Sequence, residues 1–234
     1  MQQTFLDLIY KIFYDTAKRD FKDVRLLLSE KYFFPSIEYE PNIEVKIPLP
    51  KGNDNGMVYC GYLFGDSAEE LNSAWGLFLA SVYHMAAHVA VSNYSLYEEW
   101  KKNKTPKKFW RVIDFIEDDA VERYLSSTNP DAWENISRIT KEYAIFTKNQ
   151  KKKSFLGDKM GSGRVNLIKN EMSDEPFQSL SIQHKDNILS WANQLYKSHS
   201  ILLDETPLFY ESHNHHQLLL LRKNNKPILP HGKF

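Results

Sequence analysis

One stretch constrains this chain more than any other. Ser67-Ala68-Glu69-Glu70 matches the S-x-x-E capping box, and Gly76 is the only glycine or proline in the next three dozen positions. A helix is therefore expected from about 68 to the low 90s, or as far as Trp100. Its apolar run, Trp75 to Val91, is about one membrane span long, yet His84 and His88 sit near its centre. An ionisable group at mid-bilayer costs roughly 2.5 kcal/mol or more. The run reads as the buried helix of a core, and no transmembrane segment is expected.

The flanking segments organise around that helix. Residues 3–32 read as one or two amphipathic helices. Phe5, Leu8, Ile9, Ile12 and Phe13 form a helical stripe, continued by Phe21, Val24, Leu27 and Leu28. Ile37 to Glu40 and Ile43 to Ile47 alternate with period two around Pro41-Asn42, which suggests a short hairpin or edge pair. Lys51 to Gly56 is a turn cluster, and Met57 to Phe64 reads as a short strand or a loop. Thr105-Pro106 opens a further helix through Phe109, Ile113, Ile116, Ala120 and Tyr124. Asn129-Pro130 opens another, to about Lys148. Residues 148–165 read as an exposed, flexible basic loop, and 185–199 as a helix with Ile188, Trp191, Ala192, Leu195 and Tyr196 as its stripe. The expected fold is mainly α, a helical domain with a small β-hairpin element near residues 36–64. The helix pair over 68–127 is compatible with a zincin-like arrangement. Residues 1–234 are expected to form a single mostly helical domain, with a core over 66–150 and a C-terminal helical extension over 166–234.

Composition narrows the function classes. Thirty basic side chains balance thirty acidic ones across 234 residues, whereas a nucleic-acid binder usually carries a strongly basic face. The single cysteine, Cys60, excludes an internal disulfide framework and a thiolate metal cluster, and it fits a reducing compartment. The N-terminus has no early positive charge, and Asp7, Lys11 and Asp15 interrupt its apolar residues, so it does not read as a signal peptide. A cytoplasmic location is the expectation. The glycines at 161 and 163 do not follow a strand with phosphate-loop spacing, and no nucleophile elbow or dinucleotide fingerprint occurs.

The chemistry concentrates in Tyr83-His84-Met85-Ala86-Ala87-His88. Histidines at i and i+4 project from one helix face a turn apart, the spacing that lets both imidazoles reach one metal ion. Zinc proteases place a glutamate after the first histidine to activate water. Met85 occupies that position and cannot take a proton, so the metal-binding half of the motif stands without its general base. A third ligand must come from elsewhere, and the next helix offers Glu117, Asp118, Asp119 and Glu122. Glu117 lies four after Ile113 and seven before Tyr124, on the flank of the apolar stripe, and is the acid expected to approach His84 and His88. Asp118 and Glu122 share an adjoining face. A buried carboxylate needs a metal or a histidine partner, whereas a solvated face would instead pair Asp119 with Arg123. Ser212-His213-Asn214-His215-His216 is histidine-dense but lacks a helical frame.

The stretch Tyr83 to Ala90 followed by Lys108 to Glu122 resembles the nitric oxide reductase activation proteins of the NorD type. These carry a histidine-bearing helix and then a helix reading like "LIEDARVE", of which the cobaltochelatase subunit CobT has a looser version. The resemblance covers roughly residues 70–150. It places His84, His88, Glu117, Asp118 and Glu122 on matching positions, and Asp119 departs from the small or basic residue expected there. Members end in a von Willebrand factor A domain with a D-x-S-x-S motif, which this sequence does not contain. The chain thus resembles the family's N-terminal helical part alone. The resemblance implies a non-catalytic accessory or maturation role beside a MoxR-type AAA+ ATPase, or beside a separate von Willebrand factor A subunit. Zinc or iron (Zn or Fe) would suit the candidate ligands. Two other readings stand beside it. One is a zinc-dependent hydrolase with a divergent base such as Asp118 or Glu122. The other is a structural interaction module whose histidines and acids only hydrogen-bond across two helices.

Overall fold

A computed structural model describes residues 2–39, 42–60, 62–97, 99–100, 102–139 and 185–197. The first helix, α1, spans Gln2–Ala17 and ends where Lys18 takes a positive φ of 53°. Ile9, Phe13 and Ala17 are its buried face, while Leu8 is 53% exposed. The apolar stripe is therefore narrower than its periodicity suggests. Beyond Lys18 the chain departs from the expected second helix. Val24–Ser29 is a strand, β1, with Val24 and Leu26 buried and Arg25 exposed between them.

The expected antiparallel pairing forms. Strand β2 (Ser36–Glu38) pairs antiparallel with β3 (Ile43–Pro48), and Ile37 lies opposite Val45. The other edge of β3 takes β1 in parallel, from Val24 opposite Ile43 to Ser29 opposite Pro48. A second sheet is an antiparallel meander of β4 (Lys51–Asn53), β5 (Gly56–Tyr59) and β6 (Tyr62–Phe64). The turn cluster is thus tighter than expected, with Asp54 and Asn55 joining two paired strands. At the start of β5, Gly56 has φ of +133°, and a Cβ there would meet the Phe64 carbonyl oxygen. Among the described residues the fold is mixed α/β, with helix predominating and two small three-stranded sheets, so the mainly α expectation holds in part. For β1 the cause is a partner distant in sequence, β3, that local periodicity does not register, whereas β4 pairs with β5 across the two-residue turn at Asp54 and Asn55.

Helix α2 is Ala68–Val91. The Ser67 hydroxyl accepts from the Glu70 N–H at 3.2 Å, as the capping box requires. The helix stops at Val91 rather than reaching Trp100, and a single 3-10 turn comes next over Tyr94–Tyr97. Among the described residues α2 is the helix long and apolar enough to cross a membrane, and 67% of its most apolar window is buried within the protein. One face packs Ala74, Leu77, Phe78, Val82, Met85, Ala86 and Val89 against α1 and the sheets. Tyr59 on β5 donates to the Ser81 hydroxyl at 2.8 Å, and Ser81 donates to the Leu77 carbonyl, which ties the second sheet to α2. Burying each large aliphatic or aromatic side chain in this cluster contributes roughly 1.5–3 kcal/mol.

Helix α3, Pro106–Thr128, begins with proline in its first turn as expected. It uses two faces. Val121 and Leu125 meet Ala80 and Ala87 of α2, with Ile136 from the next helix, α4, which covers residues 130–139. Phe109, Val112, Ile113 and Ile116 meet Tyr97, Trp100 and the apolar side of α5, Lys185–Lys197. The Trp100 indole donates to Asn193 Oδ1 at 2.9 Å, and the Thr105 N–H donates to the Tyr196 hydroxyl at 2.8 Å. Tyr124 donates to the Thr16 carbonyl at 2.6 Å, joining α3 to the end of α1. At Gly76 α4 comes close to α2, since a Cβ there would lie 2.8 Å from Ile139 Cδ1. The basic loop 148–165, the rest of the 166–234 extension and the histidines at 213, 215 and 216 lie outside the described residues.

Candidate metal centre

Small side chains decide where α2 and α3 approach. Ala80, His84, Ala87 and His88 come at i, i+4, i+7 and i+8, so the histidines share the face that meets α3. On α3, Asp118, Val121 and Leu125 stand at i, i+3 and i+7. Asp118 therefore continues the face that Val121 and Leu125 press against the α2 alanines. The helices bring together His84, His88 and Asp118, all buried, with one ligand atom from each within 4.8 Å of the others. These three residues can hold a metal ion.

The geometry is tighter than that bound. The two Nε2 atoms are 3.0 Å apart, and Asp118 Oδ1 lies 3.6 Å from His84 Nε2 and 3.4 Å from His88 Nε2. A tetrahedral ion with ligand distances of about 2.05 Å places its ligand atoms about 3.3 Å apart. The three edges straddle that value. The imidazole rings stand nearly perpendicular, at 82°, with centroids 4.6 Å apart. On its far side, His88 Nδ1 lies 2.8 Å from Ser92 Oγ.

The four acids of α3 divide among separate roles. Asp118 enters the triad. Asp119 accepts from Arg123 at 2.7 Å, the outward i,i+4 pair of a solvated face. Glu122 is half-buried and outside the triad. Glu117 is buried but also outside it, and accepts from the Tyr97 hydroxyl at 2.6 Å. The expectation that Glu117 would be the ligand is corrected by the rotation of α3. Glu117 comes one turn after Ile113 and turns with it toward Tyr97, about 100° around the helix from Asp118. Burial and then the Glu117 charge push the Tyr97 hydroxyl far above the usual tyrosine range. Burial and then Glu117 likewise raise Tyr39, while a hydrogen bond with Ser92 pulls it the other way. Tyr39, Ser92 and Tyr97 are site neighbours that no motif in the sequence marks. The signal for Ser92 is its position four residues after His88.

Met85 is 1% exposed and packs in the cluster formed with α1 and the sheets. The position that carries the proton acceptor in zinc proteases is here part of the apolar core.

No family model, curated protein or solved structure matches this chain.

Proposed function

We propose that this chain is a metal-binding accessory protein, holding one zinc or iron ion between α2 and α3 and acting through contact with another protein. The observation that carries the reading is the triangle of His84 Nε2, His88 Nε2 and Asp118 Oδ1, whose edges of 3.0, 3.6 and 3.4 Å match one face of a tetrahedral site. Two imidazoles and a carboxylate suit zinc and iron alike. Glu117 adds a second buried acid on the same helix, so a divalent cation would balance negative charge that is costly to hold out of water. Met85 in the core, where a proton acceptor would stand, supports a role without hydrolysis.

The NorD resemblance supplies the proposed partner, a MoxR-type ATPase or a separate chain carrying the von Willebrand factor A domain, in the cytoplasm. Elemental analysis of untagged full-length protein tests the metal. Up to one equivalent of zinc or iron is expected, lost in His84→Ala and in His88→Ala. Metal content unchanged in both variants overturns the site. A pull-down from native extract at low and moderate salt tests the partner, and recovery of neither protein counts against the accessory role.

One observation favours a second reading, a zinc-dependent hydrolase. Three protein ligands leave a position for water, as in catalytic zinc sites. With Asp118 in the triad and Glu122 outside it, the buried carboxylate left nearby is Glu117. Peptidase turnover abolished by Glu117→Gln would displace the accessory reading.

A further inference from the structure

We propose that Ser92 is a positioning residue for the metal centre, holding His88 in the tautomer that leaves its Nε2 lone pair available to the ion. This rests on the metal-binding reading above and extends it to a residue that touches no ligand atom.

Ser92 grips His88 twice. As the residue closing α2, with φ of −73° and ψ of 139°, it donates its backbone N–H to the His88 carbonyl at 2.9 Å. That bond fixes the Cα of Ser92 beside the ring, and from there Oγ reaches 2.8 Å from Nδ1. A neutral imidazole carries one N–H. On His88 the other nitrogen, Nε2, faces His84 Nε2 at 3.0 Å and Asp118 Oδ1 at 3.4 Å, the two edges of the ligand triangle. A ring proton on Nε2 would block the ion, whereas on Nδ1 it is accepted by Ser92 Oγ. Metal-binding histidines are commonly set in this way, by an acceptor on the nitrogen that does not bind the ion.

The same count of protons makes the two histidines unequal. Neutral rings with Nε2 atoms 3.0 Å apart need one N–H between them. With the His88 proton held on Nδ1, that N–H belongs to His84. His88 is therefore set in advance for the ion, and His84 is the ligand that must exchange its tautomer when the ion enters. A serine hydroxyl suits this task because it is neutral. It accepts the ring proton without adding a third buried negative charge beside Asp118 and Glu117.

The test compares full-length wild type, Ser92→Ala and Ser92→Thr. Alanine retains the backbone N–H that closes α2 and removes the side-chain contacts to the His88 ring and to the buried Tyr39 hydroxyl. Zinc affinity is measured by competition with a chromophoric chelator, and the ring tautomers of the metal-free proteins are read from ¹⁵N shifts at one fixed pH. Ser92→Ala is expected to bind zinc about 10–100-fold more weakly, the usual effect of removing such a partner, with Ser92→Thr restoring most of the loss. Metal-free wild type should show His88 with its proton on Nδ1 and His84 with its proton on Nε2. Ser92→Ala should show a mixture at His88. Wild-type affinity in Ser92→Ala, or a His88 proton on Nε2 in metal-free wild type, overturns the role of Ser92 and leaves the metal centre standing. Absence of zinc binding by wild type overturns the metal centre itself.

Discussion

Replacing Asp118 with asparagine separates a metal ligand from a structural ion-pair partner, because the two roles predict opposite signs in the metal-free protein. Asp118 is 3% exposed and Glu117, the preceding residue, is 5% exposed, so α3 buries two successive carboxylates out of water. Asparagine keeps the shape and removes one charge. If Asp118 serves a divalent ion, the metal-free variant has shed a costly buried charge and should be as stable as wild type or more so. If it is instead the permanent partner of a histidinium, breaking that buried pair costs about 3–5 kcal/mol. With metal, the ligand role predicts a further difference. At free zinc of about a hundred times Kd, wild type gains about 2.7 kcal/mol. At roughly 2–4 °C per kcal/mol for a chain of this size, the gain is about 5–11 °C. Asp118→Asn should lose that gain. The assay is a set of four thermal melts, wild type and variant, chelator-treated and zinc-loaded. An equal zinc-induced rise in both proteins refutes the ligand role. So does a metal-free variant that melts about 6 °C or more below wild type, the fall expected for a broken ion pair.

Tyr97→Phe removes the donor at 2.6 Å from buried Glu117 and should cost about 1.5–3 kcal/mol in denaturant unfolding, while zinc affinity changes little. Ser67→Ala removes the acceptor that caps α2 and should cost about 1 kcal/mol by the same measurement. At Gly76 the nearest atom to an added Cβ is the flexible end of Ile139, so alanine should be tolerated, whereas valine should cost about 1–3 kcal/mol by forcing α4 off α2. Tyr39 and Tyr97 are both raised in the folded state, by burial first and the Glu117 charge second. Their contribution to stability is fully present below the unfolded tyrosine value of about 10 and is lost as pH rises beyond it. Ultraviolet titration should show these two hydroxyls ionising only together with alkaline unfolding. Ionisation of all tyrosines near pH 10 with the fold intact would contradict the burial argument.

The sequence by itself determined those features that depend on neighbours within a turn or two. The capping box placed the start of α2 at Ala68, proline placed the start of α3, and alternation around residues 40–42 marked the antiparallel β2–β3 pair. The i,i+4 spacing put His84 and His88 on one face. Local hydrogen bonding and the fixed angle between successive residues on a helix are the cause in each case. The second half of the expected N-terminal helix failed for the opposite reason. Val24, Leu27 and Leu28 fit a helical stripe, but Val24–Ser29 finds a parallel partner in Ile43–Pro48, and the gain from that pairing is invisible to a local window.

The tertiary structure alone chose among the acids of α3. Four carboxylates in six positions spread over more than half of the helix circumference, and a rotation of about 100° exchanges Glu117 for Asp118. That rotation is set by what α3 packs against on each side. Val121 and Leu125 fit the small Ala80 and Ala87, and Ile113 and Ile116 fit Tyr97 and Trp100. Asp118 faces the histidines because it continues the face that Val121 and Leu125 press against Ala80 and Ala87.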